Sequence, residues 1–193
     1  MTDSERLADP EGAIRRLPRG LKSRLGPRFK AAVIVRARDN QTRAALARRL
    51  APLCRERGVA LMISNDLKLA RTLSADGVHF PEEAARRGTL KAALTQTRRA
   101  RRPYFVTTAA HNEIALRRGL SNAHAVLFAP VFATLSHPGA PSLGVLRFAT
   151  FVRKMHRNRD DARIVALGGV TAARANRLVA AGADGFAAVG ALA

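Results

Sequence analysis

Ala31-Ala32-Val33-Ile34-Val35-Arg36 is a short β-branched run, and Ala60-Leu61-Met62-Ile63-Ser64 is a second. Between them Thr42 to Arg57 reads as a helix: Ala45, Leu46, Leu50, Leu53 and Cys54 recur at helical spacing with arginines opposite, and Gly58 stops it. Two strands joined by a crossover helix lie parallel. Parallel strands covered on both faces read as continuous apolar runs, as these two do.

The same unit recurs towards the C-terminus. A helix over Leu67 to Leu73 precedes the strand Gly77 to Phe80, and helices follow around Glu83 to Arg87 and Leu90 to Arg98. Tyr104 to Thr107 is the next strand, with a helix over Asn112 to Arg118. Ala125 to Ala129 then leads into a Pro- and Gly-rich loop ending at Gly144 and a helix over Leu146 to His156. Ile164 to Leu167, a helix over Ala172 to Ala181, and Gly185 to Val189 complete a sheet of seven expected strands. An open doubly wound sheet and a closed (β/α)8 barrel share this local pattern. Ala75-Asp76-Gly77-Val78 and Ala183-Asp184-Gly185-Phe186, both at helix-to-strand junctions, favour the barrel. There Gly supplies a sharp reversal and Asp can bond the backbone of the turn.

The chain of 193 residues is 47% apolar, 25% charged and 5% aromatic, which suits one folded domain and excludes a disordered chain. No apolar run approaches the length of a membrane span, and the polar start Met1-Thr2-Asp3-Ser4-Glu5-Arg6 lacks a secretory signal's apolar stretch. Cys54 is the only cysteine, so no internal disulfide or cysteine zinc site forms, and a reducing cytoplasm is expected. The formal charge of +20 would attract polyanions. Its arginines are scattered, Tyr104 is the only Tyr and Trp is absent, so no stacking platform for specific nucleic-acid binding is expected. A phosphorylated small substrate uses the same field.

Ligands of parallel α/β folds bind beyond the carboxyl ends of the strands. There Gly168-Gly169-Val170-Thr171 offers backbone N–H groups to an anion, with Thr171 expected to cap the next helix. Val189-Gly190-Ala191 offers a second pair of amides. Asn65-Asp66 ends one strand, and Asp66 reads either as a ligand for a hard cation or as a helix cap. Glu82 and Glu83 read as metal-linked carboxylates or as a first-turn acidic pair. Arg36 and Arg38 alternate at a strand end, so they read either as a phosphate clamp reaching into the mouth or as solvated side chains. His79 and His111 read first as hydrogen-bonded structural residues, and Thr134 to Gly139 is a hydroxyl-bearing loop.

Ala75-Asp76-Gly77-Val78-His79, Pro130-Val131-Phe132-Ala133-Thr134 and Ala166-Leu167-Gly168-Gly169-Val170 occur in this order, and together they resemble the thiamine phosphate synthase and thiazole tautomerase family. The resemblance implies a TIM-type barrel that joins hydroxymethylpyrimidine diphosphate to thiazole phosphate, releasing pyrophosphate with Mg²⁺. Carried over, it implies Arg36 and Arg38 at the diphosphate, Asn65 at the substrate, and Asp66, with Glu83 nearby, at the metal. It places Thr134, Ser136 and His137 in the pyrophosphate loop, and Gly168, Gly169, Val189 and Gly190 in the thiazole-phosphate cradle.

The chain departs from that pattern at several positions. Ala84 stands for the second metal-binding Asp, His137 for a Lys, Ala109 for a Ser and Gly190 for another Ser. A thiazole tautomerase, with His137 or His111 shuttling a proton, and a degenerate phosphate-binding barrel are the alternatives. Met1-Thr2-Asp3 resembles only the tail of the family's first strand, so a truncated first strand is expected, from a misplaced start codon or a shortened gene. Residues 1–30 are then read as a basic remnant of the first unit and residues 31–193 as the barrel domain.

Overall fold

Capping and packing residues divide the chain into its elements much as the apolar pattern suggests. A computed structural model describes residues 2–3, 8–17, 31–98, 103–134 and 141–189. The order is β1 (Thr2–Asp3), α1 (Pro10–Arg16), β2 (Ala32–Arg36), α2 (Asn40–Arg57), β3 (Ala60–Ser64), α3 (Leu67–Thr72), β4 (Gly77–Phe80) and α4 (Glu82–Arg86). It continues α5 (Thr89–Arg98), β5 (Phe105–Ala110), α6 (Glu113–Asn122), β6 (Ala125–Phe128), α7 (Gly144–Asn158), β7 (Ile164–Leu167), α8 (Ala172–Ala180) and β8 (Gly185–Ala187). Helix α2 shows the local logic. Asp39 Oδ1 accepts the Thr42 N–H at 2.7 Å, and Gly58 ends the helix at φ 63°. Leu46, Leu50, Leu53 and Cys54 turn inward.

All eight strands pair in parallel and in chain order, the TIM-type arrangement. Seven strands follow the expected apolar runs, and Thr2 and Asp3 pair with Val35 and Arg36 as a two-residue first strand, where the tail of a shortened first strand is expected. Among the described residues no ladder links β8 to β1. Strand β5 runs on to Ala110, because Thr107 and Thr108 interrupt the apolar run yet are buried. Strand β8 stops at Ala187, which leaves Val189 in the following loop.

Two apolar layers lie between sheet and helices. One gathers Ile14, Leu50, Ile63, Val78 and Leu90 under α1 to α5. The other gathers Leu116, Phe128, Phe148, Ile164 and Leu178 under α6 to α8. Each such large side chain contributes roughly 1.5–3 kcal/mol by leaving water. A third cluster fills the interior with Ile34, Met62, Ala125, Leu127 and Val165. Strands β3 and β6 are not neighbours in the sheet, so this shared cluster requires the sheet to curl on itself.

The repeated Asp-Gly phrases brace the strands at their starts. Asp76 donates its N–H to Leu61 O at 2.8 Å while its Oδ2 accepts the Leu61 N–H at 2.9 Å. Asp184 makes the same pair of bonds with Ile164, at 3.0 and 2.8 Å. A third corner is built alike with a different residue: the His124 N–H donates to Val106 O, and His124 Nδ1 accepts the Val106 N–H at 2.9 Å. Asp76→Ala leaves the Leu61 N–H without this acceptor, which should cost about 1–3 kcal/mol in urea unfolding. An unchanged midpoint would contradict the role given to the corner.

His79 lies inside the barrel on β4, level with Thr107 on β5, and its Nδ1 is 2.9 Å from Thr107 Oγ1. Burial, and secondarily the charge of Arg36, push its pKa down to about 4. The folded state therefore favours neutral imidazole, and unfolding takes up a proton at pH values between about 4 and the ordinary value of 6.5. Stability from this group is complete above that window and falls as pH drops through it. Between about pH 7 and about pH 4 the wild type should lose roughly 3 kcal/mol more than His79→Asn in urea titrations. Parallel curves would refute the assignment.

Candidate functional site

The carboxyl ends of the strands collect most of the described residues expected at a site. Arg36 ends β2 on the inward row of Ile34, exposed at the mouth, and Arg38 is exposed in the turn beyond. After β3 the chain turns through Asn65 at φ 53°, whose N–H donates to His79 O at 2.8 Å. Asp66 then starts α3: its Oδ1 accepts the Leu69 N–H at 2.8 Å. Its Oδ2 faces Arg43 Nη2 at 3.4 Å. Arg43 is only 8% exposed, and its Nε has no acceptor among the described residues.

The acidic pair after β4 is engaged locally. Glu83, expected near the metal, lies against Arg87 one helical turn on. Glu82 Oε2 accepts the backbone N–H of His111 at 3.0 Å and sits 2.8 Å from His111 Nδ1. Ala84 is buried. Among the described residues no cluster of three or more His, Cys, Asp or Glu could hold a metal. Among the described residues Asp66 Oδ2 has only the long 3.4 Å contact with Arg43.

Strands β7 and β8 carry the two glycine-bearing loops expected to meet an anion. Leu167 pairs with Ala187, so the loops that follow these two strands leave the sheet side by side. Gly168 and Gly169 take φ values of 96° and 61°, a region that disfavours side chains. The β6 loop packs directly on them. Val131 N–H donates to Leu167 O at 2.9 Å and Phe132 N–H to Gly168 O at 3.1 Å. A Cβ on Gly168 would lie 2.7 Å from Pro130 Cα, and one on Gly169 would lie 2.4 Å from Ala133 O.

Among the described residues nothing accepts the N–H groups of Gly169 and Val170. Thr171 occupies the N-cap of α8, but its side chain makes no cap bond, which corrects the capping role expected for it. Its extended backbone fits the position, yet the first-turn amides of α8 receive no side-chain acceptor from it. Those donors and the positive end of the helix suit an anion.

Val189 is half-buried in the loop after β8, and Thr134 is half-buried at the end of the described β6 loop. Ser136, His137 and Gly190 lie outside the described residues. Two residues not foreseen join the site. Arg174, in the first turn of α8, donates through Nη1 to Gly169 O at 2.8 Å, and its guanidinium lies 4.8 Å from the centre of the Phe132 ring. A cation placed where the helix dipole opposes it was the available signal for Arg174.

Residues 11–192 match the family described as thiamine monophosphate synthase. The chain is 34% identical over 158 residues to the thiamine-phosphate synthase of Bordetella pertussis, covering 80% of this chain and 70% of that protein. It is 29% identical over 153 residues to the thiamine-phosphate synthase of Bacillus velezensis, covering 79% and 64%. The chain therefore spans about two thirds of the length of these relatives.

The thiamine phosphate pyrophosphorylase of Pyrococcus furiosus superposes with a TM-score of 0.69 at 17% identity, over 97% of this chain and 83% of that one. A structure described as native KDPGal superposes with a TM-score of 0.55 at 14% identity, over 96% and 79%. At such identities the likeness shows the barrel fold alone. The match along residues 11–192, with the Bordetella relative, is what settles kinship: this chain belongs to the thiamine monophosphate synthase family.

Proposed function

We propose that this protein is a thiamine phosphate synthase of thiamine biosynthesis, condensing hydroxymethylpyrimidine diphosphate with thiazole phosphate and releasing pyrophosphate. The observation that carries the reading is the pair of backbone donors, Gly169 and Val170 N–H, which have no acceptor among the described residues, at the start of α8 beside the loop after β8. In this reading the thiazole phosphate rests on Gly168, Gly169, Val189 and Gly190. The diphosphate lies across the mouth towards Arg36 and Arg38, with Asn65, Thr134, Ser136 and His137 as further contacts. Cytoplasmic action is part of the proposal, and among the described residues no helix is long and apolar enough to cross a membrane.

The chemistry asked of the chain is charge neutralisation. The bond from the pyrimidine methylene carbon to the diphosphate oxygen breaks, its electron pair leaves with pyrophosphate, and the thiazole nitrogen supplies the pair that caps the carbon. Guanidinium groups at the mouth stabilise the charge that develops on the departing oxygen. Buried neutral His79 sits below this region without adding another fixed positive charge. Mg²⁺ is the cation implied by the family resemblance, and one carboxylate with water and substrate phosphates is an adequate donor set for it. Asp66 Oδ2 would hold the ion in exchange for its 3.4 Å contact with Arg43. Glu83 would join only by leaving Arg87. Such an ion supplies Lewis-acid neutralisation of the diphosphate.

A thiazole tautomerase is the second reading, favoured by the contact between Glu82 and His111 at the end of β5. A carboxylate that orients an exposed imidazole suits a proton shuttle. The two readings separate in one assay. With both substrates and Mg²⁺, a synthase releases pyrophosphate and forms thiamine phosphate, whereas a tautomerase given its thiazole precursor isomerises it and releases none. Pyrophosphate release is the expected result, and its absence with active tautomerisation would reverse the choice.

Two substitutions test the assigned parts. Gly169→Ala forces a side chain against Ala133 O and into a disfavoured φ, so calorimetry should show at least about a tenfold loss in thiazole-phosphate affinity. Unchanged affinity would reject the cradle. Asp66→Asn keeps a cap oxygen for Leu69 but removes the negative charge. It should abolish the response of turnover to Mg²⁺ while leaving thiazole-phosphate binding intact; a retained Mg²⁺ response would free Asp66 of the metal role.

A further inference from the structure

Arg174 is the third residue of α8, a helix whose first turn contains no acidic residue and whose N-cap side chain bonds to nothing in the turn. A cation there faces the positive end of the helix dipole. It is nevertheless held in place from two sides, by the Gly169 carbonyl at 2.8 Å and the Phe132 ring at 4.8 Å. Both partners belong to the loops that enclose the glycine pair. The ring holds the guanidinium carbon over its face, and the carbonyl holds Nη1.

A guanidinium carries five N–H donors and keeps its charge at any physiological pH. One hydrogen bond from Arg174 forms among the described residues, and no carboxylate there lies within ion-pair distance. Elsewhere, Arg87 and Arg117 lie against Glu83 and Glu113, each one helical turn away. Arg174 is exposed, so its remaining donors are open to a ligand from solvent. Together with the N–H groups of Gly169 and Val170, which meet no acceptor among the described residues, its charge makes a positive corner.

We propose that Arg174 determines specificity for the charged phosphoryl group of the thiazole substrate over the corresponding uncharged alcohol. The guanidinium is preset by Phe132 and Gly169 and makes a charge-assisted contact to the phosphoryl oxygens. This rests on the phosphate cradle of the functional reading and adds the residue that reads the ligand's charge. It also explains a cation held against the dipole: without ligand the arrangement is unfavourable, and a bound dianion reverses its sign.

Calorimetry with inorganic phosphate, thiazole phosphate and the dephosphorylated thiazole alcohol tests this on the full chain, with Arg174→Gln and Arg174→Lys, alongside ligand-free thermal melts. Arg174→Gln should weaken both phosphate ligands about tenfold and leave the alcohol unchanged. Arg174→Lys should fall between, since it keeps the charge without the planar fork. The ligand-free melting temperature of Arg174→Gln should hold or rise, because a cation has left the positive helix end. Unaltered phosphate affinity would overturn the proposal. So would an equal loss for the alcohol with a lower melting temperature, the signature of a loop brace. Wild-type binding of inorganic phosphate but not thiazole phosphate, with the Gln effect present, leaves Arg174 in its role and removes the functional reading; binding of neither removes both.

Discussion

The close approach of the β6 loop to the end of β7 is the contact on which the site depends. Two backbone bonds, from Val131 to Leu167 and from Phe132 to Gly168, draw the loop so near that a Cβ on either glycine would collide with it. Glycine at 168 and 169 is therefore required twice, by space and by positive φ. The same packing carries Phe132 under Arg174 and, among the described residues, leaves the Gly169 and Val170 amides without an acceptor. Fold and chemistry meet in those few residues.

Strand register sets the next level. Parallel pairing of Leu167 with Ala187 brings the loops after β7 and β8 together, as a barrel binding phosphate through its last two loops needs. At the opposite ends of the strands, Asp76, His124 and Asp184 lock three corners with paired backbone bonds. The loops proposed to bind ligand and the bracing corners thus fall at opposite ends of the sheet.

Much of this was legible in the sequence, and the gaps have physical causes. Ala75-Asp76-Gly77 and Ala183-Asp184-Gly185 announced their corners because the same residues recur. The His124 corner was hidden because imidazole Nδ1 replaces a carboxylate oxygen as acceptor. Strand β5 looked short because Thr107 and Thr108 are polar, although both are buried. Asp66 read on its own first as a helix cap and, through the resemblance, as a metal ligand, and a carboxylate with two oxygens allows both. Arg43 passed as one more solvated arginine, since periodicity does not reveal that a helical guanidinium is buried against Asn40 and Asp66. Arg174 and Phe132 meet only through tertiary packing.

The +20 charge bears on the same proposal. Carboxylates are outnumbered, so many guanidinium groups face solvent and favour approach of anionic substrates. In the proposed reading the glycine loops select where the anion stops. Amide NMR during titration with thiazole phosphate tests that claim most directly. The account predicts that Gly169 and Val170 show the largest shifts, saturating together. Saturable shifts confined to other strand ends, with those two amides unmoved, would contradict it.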